Sequence, residues 1–196
     1  MGYSSCLTAV DLNTRNVKWK FGKTKYNLNA QMYEPQQLSP AIDNDGNIYL
    51  VADAIDLNEG KPSLYCLQSN GLIKWSYIYN NPYPLMHGAD PVIDYDGNIY
   101  FGLDTLYAIN SSGKLIWKLG LNGYCDTPLV CDVSNTIFVT VSVGGLVSEL
   151  FAINQQGSVQ WRVSYSPQRD QDTSPALAFG ILAVQSWLSP TLYIIK

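Results

Sequence analysis

The chain has 196 residues, of which 46% are hydrophobic and 14% charged, a balance typical of a compact fold and not of a disordered chain. Its formal net charge is −4 and its Lys and Arg residues form no cluster, which excludes a basic surface for nucleic acid or anionic membranes. No apolar run approaches the roughly 20 residues of a membrane-spanning helix, and residues 1–10 lack the pattern of a secretory signal.

A repeated pattern runs along the chain, and its clearest element is a tryptophan that follows a glycine by four residues. The tryptophans are Trp19, Trp75, Trp117 and Trp161, preceded at that distance by Arg15, Gly71, Gly113 and Gly157. Short apolar runs lie upstream of them at 7–10, 64–67, 106–109 and 150–153, and a fifth run occupies 192–195. Tryptophan spacings of 56, 42 and 44 residues are typical of one four-stranded antiparallel sheet per repeat.

A second block opens each copy, with a proline, an apolar run and a turn sequence. Asp43-Asn-Asp-Gly46 and Asp94-Tyr-Asp-Gly97 have the chemistry of a tight hairpin between the first and second strands. The proline is expected at the opening of the first strand, where a missing N–H is tolerated. The second and third strands are nearly continuous apolar runs, which predicts burial on both faces. The fourth strand is more polar and is predicted at the outer edge, with its tryptophan wedged between neighbouring sheets.

These elements predict an all-β fold, a β-propeller of about four four-stranded blades, as a single domain over residues 1–196. The copies span approximately 1–21 (partial), 39–77, 90–119, 127–163 and 174–196 (partial), with two, four, four, four and three strands. Two arrangements stay open. In a closed four-blade ring, residues 174–196 would be completed by the strand around 17–21. In an open arc of a larger propeller, a second copy of the chain could complete the ring as a homodimer.

The pattern resembles the quinoprotein-like propeller repeat, also called the pyrroloquinoline-quinone-type repeat, whose blades carry an Ala-x-Asp-x-x-Thr-Gly-x-x-x-Trp docking motif. Residues that fit it are Ala9, Asp11, Thr14 and Trp19, with Arg15 at the usual glycine, and, with a turn one residue shorter, Ala108, Asn110, Gly113 and Trp117, and Ala152, Asn154, Gly157 and Trp161. The resemblance covers essentially the whole chain and implies the fold. It does not imply one activity, because such propellers are dehydrogenases, assembly scaffolds and cell-surface modules. It also implies a periplasmic or cell-surface location.

The quinone-dependent dehydrogenases of that family imply eight blades, a quinone, calcium and a disulfide between adjacent cysteines. Here the cysteines are Cys6, Cys66, Cys125 and Cys131, none adjacent to another, and they form no zinc pattern with His87, the single histidine. We therefore expect no cofactor and no metal. Cys66 stands where other copies have alanine, which favours a small core residue. A helix-flanked calcium loop starting at Asp43 or Asp94 would need a Glu at its twelfth position, where Ala54 and Thr105 stand.

Candidate ligand-binding residues lie in the segments that join one blade to the next, which gather at one rim of a propeller. They are Tyr83, His87, Tyr124 and Tyr165, with Asp126 and Arg169 beside them. A lone histidine without a nearby nucleophile makes a poor catalytic triad, and no phosphate-binding or dinucleotide motif occurs. The sequence therefore predicts a non-enzymatic scaffold for protein–protein interaction or ligand binding. The alternatives are a fragment or subunit of a quinone-dependent oxidoreductase and a carbohydrate-binding surface module.

Overall fold

The structure is a computed structural model that describes residues 2–4, 7–22, 24–26, 39–52, 62–80, 88–125, 127–143, 147–166, 174–178, 180–185 and 192–195. The chain divides into two compact units, Met1–His87 and Gly88–Lys196. The regular secondary structure of the described residues is antiparallel β-strand throughout, which confirms the predicted all-β fold. Across the ranges just given, no helix has the length and apolar character needed to cross a membrane.

The first unit begins with a hairpin whose two arms are each divided into two short strands, and this hairpin is longer than predicted. Its strands are β1 (Gly2–Ser4), β2 (Leu7–Val10), β3 (Val17–Phe21) and β4 (Thr24–Tyr26). Strand β1 pairs with β4, and β2 pairs with β3. From the pair Ser4–Thr24 to the pair Leu7–Phe21 the register advances by three residues on each side, so the two pairs are in line along one hairpin. The prediction of two N-terminal strands was wrong because it omitted β1 and β4.

A four-stranded sheet follows in the first unit, and the second unit contains a four-stranded, a five-stranded and a three-stranded sheet. The first sheet comprises β5 (Ala41–Ile42), β6 (Ile48–Ala52), β7 (Ser63–Leu67) and β8 (Ile73–Ile78). The second comprises β9 (Ala89–Ile93), β10 (Ile99–Gly102), β11 (Thr105–Ile109) and β12 (Leu115–Gly120). The third comprises β13 (Gly123–Tyr124), β14 (Val130–Cys131), β15 (Ile137–Val143), β16 (Val147–Ile153) and β17 (Val159–Ser166). The last comprises β18 (Ala176–Ala178), β19 (Ile181–Gln185) and β20 (Leu192–Ile195).

Two local details differ from the predicted strands. In the third sheet the first strand is split, because β13 and β14 both pair with β15 at different points along it. Pro91 lies inside β9 and not at its opening. Strand β9 is an edge strand, and its register against β10 shifts between Tyr100 and Gly102. An edge strand with an irregular register accommodates a residue that lacks a backbone N–H.

In the β5–β8, β9–β12 and β13–β17 sheets the apolar second and third strands are buried on both faces, as predicted, whereas β19 of the last sheet alternates between buried and more exposed residues. On β15, Ile137 and Val139 belong to an apolar cluster shared with the β9–β12 sheet. Phe138, which lies between them in sequence, points to the opposite face and belongs to a cluster shared with Leu182 and Val184 of β19. Alternate residues therefore pack against different sheets, which explains why the run is apolar at every position. The fourth strands β8, β12 and β17 form the outer edges and carry no acidic residue.

One row of paired residues recurs across the sheets and explains the alanine that precedes each tryptophan. In the β9–β12 sheet, Ala108 pairs with Tyr100 on one side and Trp117 on the other. The rings of Tyr100 and Trp117 meet with centroids 5.6 Å apart, so the residue between them must be small. The same row in the other sheets is Ala9–Trp19, Tyr49–Cys66–Trp75 and Phe138–Ala152–Trp161. The prediction that Cys66 is a small core residue is confirmed, since it is fully buried.

The same tryptophans reach the neighbouring sheet. In the first unit the Trp19 indole N–H donates to the carbonyl oxygen of Ser69 at 2.9 Å, in the hairpin that joins β7 to β8. In the second unit Trp117 donates to the carbonyl oxygen of Gln155 at 2.8 Å, in the hairpin that joins β16 to β17. Trp19 and Trp117 thus each pair with a strand of their own sheet and contact the hairpin of the next one in the same unit. Four-stranded antiparallel sheets that dock in succession in this way are the blades of a β-propeller fold.

Candidate functional site

The two ends of each sheet differ in character. In the β9–β12 sheet, the turns Asp94–Asn98 and Asn110–Lys114 lie at one end, which we call the turn end. The loop Leu103–Asp104 and the connection Leu121–Cys125 to the next sheet lie at the other, which we call the connection end. The alternation of strand direction gives the other sheets the same two ends. Of the candidate ligand-binding residues, Tyr124 and Tyr165 lie at the connection end.

Of the predicted rim residues, Tyr83 and His87 lie outside the described residues, as do Asp126 and Arg169. Tyr124 lies in β13, where it pairs with Ser142 of β15 and is half-buried. Tyr165 lies in β17, is 7% exposed, and belongs to the apolar cluster shared with β19. Strands β13 and β17 are the opposite edges of one sheet, so the two tyrosines are about three strand spacings, roughly 14 Å, apart. The structure brings them to one end of a sheet without placing them in contact.

The connection that carries Tyr124 is held tightly against the preceding sheet. The backbone N–H of Leu121 donates to the carbonyl of Asp104 at 2.9 Å, and that of Cys125 donates to the carbonyl of Leu103 at 2.8 Å. Asn122 has a φ of 54°, in the left-handed region. Gly123 packs so close to β15 that a Cβ atom would collide with the Ser142 carbonyl. The backbone at the start of this connection is therefore rigidly positioned.

Polar groups beneath this connection are largely withdrawn from solvent. The buried hydroxyls of Thr127 and Thr140 share a hydrogen bond of 2.6 Å. Ser148 is fully buried, and its Oγ has no hydrogen-bond partner within the described part of the chain. On the other face of β16, Glu149 accepts a hydrogen bond from Ser164 Oγ at 3.2 Å and lies 3.8 Å from the Arg162 guanidinium. These groups stabilise the sheet and are poorly placed to meet a substrate.

The acidic turn loops are closed by their own aspartates. Asp43 Oδ1 accepts the backbone N–H of Asp45 at 2.9 Å and of Asn47 at 2.8 Å. Its Oδ2 accepts from Asn47 Nδ2 at 2.7 Å and from the Tyr49 hydroxyl at 2.9 Å. Gly46 has the positive φ, 78°, that a tight hairpin turn requires. The loop is thus a hairpin turn, as predicted, and both oxygens of its first carboxylate are already occupied by protein donors.

The Asp94 loop repeats this geometry. Its Oδ1 accepts from the backbone N–H groups of Asp96 and Asn98, at 2.9 and 2.8 Å, and its Oδ2 accepts from the Tyr100 hydroxyl at 2.7 Å. Burial opposes ionisation of Asp94, but the hydrogen bonds from Tyr100, Asn98 and Gln155 outweigh it and hold the pKa of the carboxyl below its usual value. Burial, and then the hydrogen bond to Asp94, raises the pKa of Tyr100 well above that of a free tyrosine.

Groups that could hold a metal or act as a thiol nucleophile are limited in the described residues. No group of three His, Cys, Asp or Glu side chains lies close enough among them to hold a metal ion. Cys66 is fully buried, and burial raises the pKa of its thiol. Burial likewise raises the pKa of Cys131 to about 12. Within the described ranges, Cys66, Cys125 and Cys131 form no disulfide.

Sequence reasoning missed one pair of residues that joins two sheets at the turn end. Asn135 occupies the turn position held by Gly46 and Gly97 in the sister turns, with a φ of 61°. Its Oδ1 accepts the backbone N–H of Tyr95 at 3.0 Å, and its Nδ2 donates to Asp96 Oδ2 at 2.8 Å. The side chain of Gln155 donates to the same oxygen at 2.7 Å. An asparagine at a position otherwise held by glycine was the only signal for this contact in the sequence.

Comparison with known proteins gives a likeness in fold and no family. No protein-family model matches the sequence, and no curated protein sequence matches it. A protein of unknown function from Bacteroides caccae matches with a TM-score of 0.57 and 14% identity, over 95% of this chain and 67% of that one. Virginiamycin B lyase from Staphylococcus aureus matches with a TM-score of 0.46 and 13% identity, over 96% of this chain and 73% of that one. BamB from Moraxella catarrhalis matches with a TM-score of 0.45 and 11% identity, over 90% of this chain and 62% of that one. The chain described here spans 62% to 73% of the length of these neighbours.

Proposed function

We propose that the protein is a non-enzymatic β-propeller scaffold that holds a partner protein or a small ligand at the connection end of its blades. The supporting observation is that the polar residues of the repeat are already used by the fold. In the β9–β12 sheet, Asp94 and Tyr100 bond each other, and Asn110 Oδ1 accepts the backbone N–H groups of Ser112 and Lys114. The Trp117 indole bonds the next hairpin. A repeat of this kind builds a frame and leaves binding to the segments that differ between copies.

The connection end supports this assignment because it is where the copies diverge. Loops between the second and third strands range from two residues, Leu103 and Asp104, to the ten residues between Ala52 and Ser63. Loops of unequal length on a constant frame are where proteins commonly place recognition residues. Tyr124, on its tightly held connection, is the described residue best placed to contact a ligand there. Tyr83 and His87 are proposed as further members of the same rim, and the buried Tyr165 as support beneath it.

The family relationship is part of this proposal. The pairing of Ala108 with Trp117, and the docking of the indole on the next hairpin, are what the quinoprotein-like repeat motif would produce. We therefore propose that the chain is a quinoprotein-like propeller repeat protein. The same family includes enzymes, so the test must distinguish binding from turnover.

A two-part experiment tests the proposal. The intact chain is screened on peptide and glycan arrays, and each hit is titrated against Tyr124→Ala, Tyr83→Ala and His87→Ala. Lys118→Ala, on the outer edge strand β12, is the matched control. We expect at least one rim variant to weaken binding by about tenfold, the usual effect of losing an anchoring aromatic, while the control binds normally. In parallel, the chain is titrated with pyrroloquinoline quinone and calcium in the presence of alcohol substrates. Quinone-dependent turnover that vanishes in His87→Ala would overturn the scaffold assignment.

A further inference from the structure

Two neighbouring turns at the turn end of the second unit carry exposed apolar side chains. Tyr95 is 88% exposed and Val133 is 91% exposed, each at the second position of its turn. The turn geometry does not require them, because Asn44 occupies the same position in the turn between β5 and β6. Turn tips are normally polar, and exposed aromatic and aliphatic side chains on adjacent tips are unexplained by packing within the fold.

These two turns are fixed to one another. Asn135 of the second turn accepts from the Tyr95 backbone N–H and donates to the Asp96 carboxylate, at 3.0 and 2.8 Å. Gln155 Nε2 donates to the same carboxylate at 2.7 Å and to Asp94 at 3.2 Å. Asn135 holds a left-handed backbone, with φ 61°, to make both of its bonds. The backbone that carries Tyr95 is therefore ordered before any partner arrives, which lowers the entropic cost of binding.

The charge around Tyr95 selects the kind of partner. The segments 94–98, 132–136 and 154–158 contain Asp94, Asp96 and Asp132 and no Lys or Arg, and the other turn of the β9–β12 sheet at this end, 110–114, adds one cation, Lys114, so the turns stay net negative. Asp94 and Asp132 bond the backbone of their own turns, whereas Asp96, which follows Tyr95 in the chain, is exposed and accepts from Asn135 and Gln155 through Oδ2. An aromatic face next to a carboxylate attracts a cation, through the ring quadrupole and a charge-assisted hydrogen bond. An exposed aliphatic side chain beside them suits the apolar stem of a lysine or arginine.

We propose that Tyr95, Asp96 and Val133, the Tyr95–Val133 patch, form a docking surface for a basic segment of a partner protein. A Lys or Arg side chain of that segment lies over the Tyr95 ring with its charge toward Asp96, and an apolar neighbour packs on Val133. This inference rests on the proposed scaffold function and adds to it a second surface, at the opposite end of the blades from the rim.

The test uses the intact chain and two fluorescein-labelled peptides, Leu-Arg-Leu-Arg-Leu-Arg and Leu-Glu-Leu-Glu-Leu-Glu, followed by fluorescence anisotropy at low and moderate salt. We expect the arginine peptide to bind and the glutamate peptide not to bind, with affinity that falls as salt rises. Tyr95→Ala and Asp96→Asn should each weaken binding by roughly fivefold, whereas Tyr95→Phe, which keeps the ring, should bind nearly as well as the natural chain. Leu12→Ser, which removes an equally exposed side chain (91%) in the first unit, is the matched control.

The other possible results show which of the two proposals, the docking surface or the scaffold function, is wrong. Equal binding of the two peptides, or unchanged binding by Tyr95→Ala with a normal unfolding midpoint, overturns the docking surface. Binding of neutral glycans that is lost in Tyr95→Ala would show that the patch binds sugars, and would also overturn its assignment as a docking surface for a basic segment. Neither result touches the scaffold function, which is tested at Tyr124 and by turnover. Conversely, detection of turnover would refute the scaffold function whatever the peptides do.

Discussion

The Trp117 indole lies against the backbone of Gly157 so closely that a Cβ atom at residue 157 would stand 2.7 Å from Trp117 Cδ2. In the first unit, Trp19 and Gly71 have the same relationship, also at 2.7 Å. Gly71 and Gly157, each of which precedes a tryptophan by four residues, therefore serve two purposes. Each gives its hairpin a positive φ, and each provides the bare surface on which the tryptophan of the preceding sheet rests.

Replacing Gly157 should separate these two purposes. Gly157→Ala introduces both backbone strain and a collision with the indole, and we expect it to reduce the free energy of unfolding by about 3 kcal/mol. Gly97→Ala is the matched control, because Gly97 has the same φ of 82° and nothing within 4 Å of a Cβ position. It should cost only about 1 kcal/mol, from strain alone. Urea unfolding of both variants measures the difference, and equal losses would contradict the docking contact.

Trp117, which packs on the next hairpin, should contribute more to stability than the more exposed Trp161. Trp117→Ala should reduce the free energy of unfolding by about 3 kcal/mol, since it removes a ring contact with Tyr100 and the bond to Gln155. Trp161 is 39% exposed, so Trp161→Ala should cost roughly half as much. Trp117→Phe keeps one aromatic ring but loses the five-membered ring of the indole with its N–H, with an expected loss of about 2 kcal/mol. Chemical denaturation checks all three, and a larger loss in Trp161→Ala than in Trp117→Ala would refute the ranking.

The small residue between the two aromatic rings should tolerate exchange only for another small residue. Cys66→Ala makes this sheet like its neighbours and should change the free energy of unfolding by less than about 1 kcal/mol. Ala108→Leu places a larger side chain between Tyr100 and Trp117 and should cost about 2–3 kcal/mol. Thermal and urea unfolding provide the comparison. If leucine at 108 left stability unchanged, the paired row could not be the reason for the alanine.

Stability should fall at acid pH through the Asp94 turn. Hydrogen bonds hold the pKa of Asp94 below 3.8, the usual value of an aspartate. Because the folded chain favours the ionised carboxylate, its contribution to stability is fully present about one pH unit above 3.8. This contribution is lost as the pH falls through 3.8 to the lower pKa of the folded chain. We expect the urea midpoint to drop between about pH 5 and pH 3. Asp94→Asn should be less stable at neutral pH and should show a shallower drop over this interval, and an unchanged slope would refute the assignment.

The repeated features of the fold could be predicted from the sequence because the same residue pattern occurs in several copies. Gly-x-x-x-Trp located the hairpin between the third and fourth strands, and unbroken apolar runs located the strands buried on both faces. Even Arg15, which breaks the pattern, keeps the expected backbone, with a φ of 59°. What periodicity could not provide was the partner of each indole, since that depends on how one sheet sits on the next.

Features present in a single copy were missed for the same reason. The link from Asn135 to Tyr95 and Asp96 spans about 40 residues and occurs once in the described chain. The pairing of β1 with β4 joins segments with no repeated counterpart. Of the candidate rim, the sequence placed Tyr124 at the connection end, but it could not show that Tyr165 is buried, because its location beside an apolar neighbour depends on the β19 sheet.

Because Trp19 and Trp117 each join their own sheet to the next one along the chain, stability within each unit depends on links between neighbouring sheets. Damage at one link weakens the two sheets that share it and leaves more distant sheets with their own contacts intact. A chain built in this way can exchange the surface loops of one blade without disturbing the others, which gives evolution a scaffold whose recognition segments vary independently.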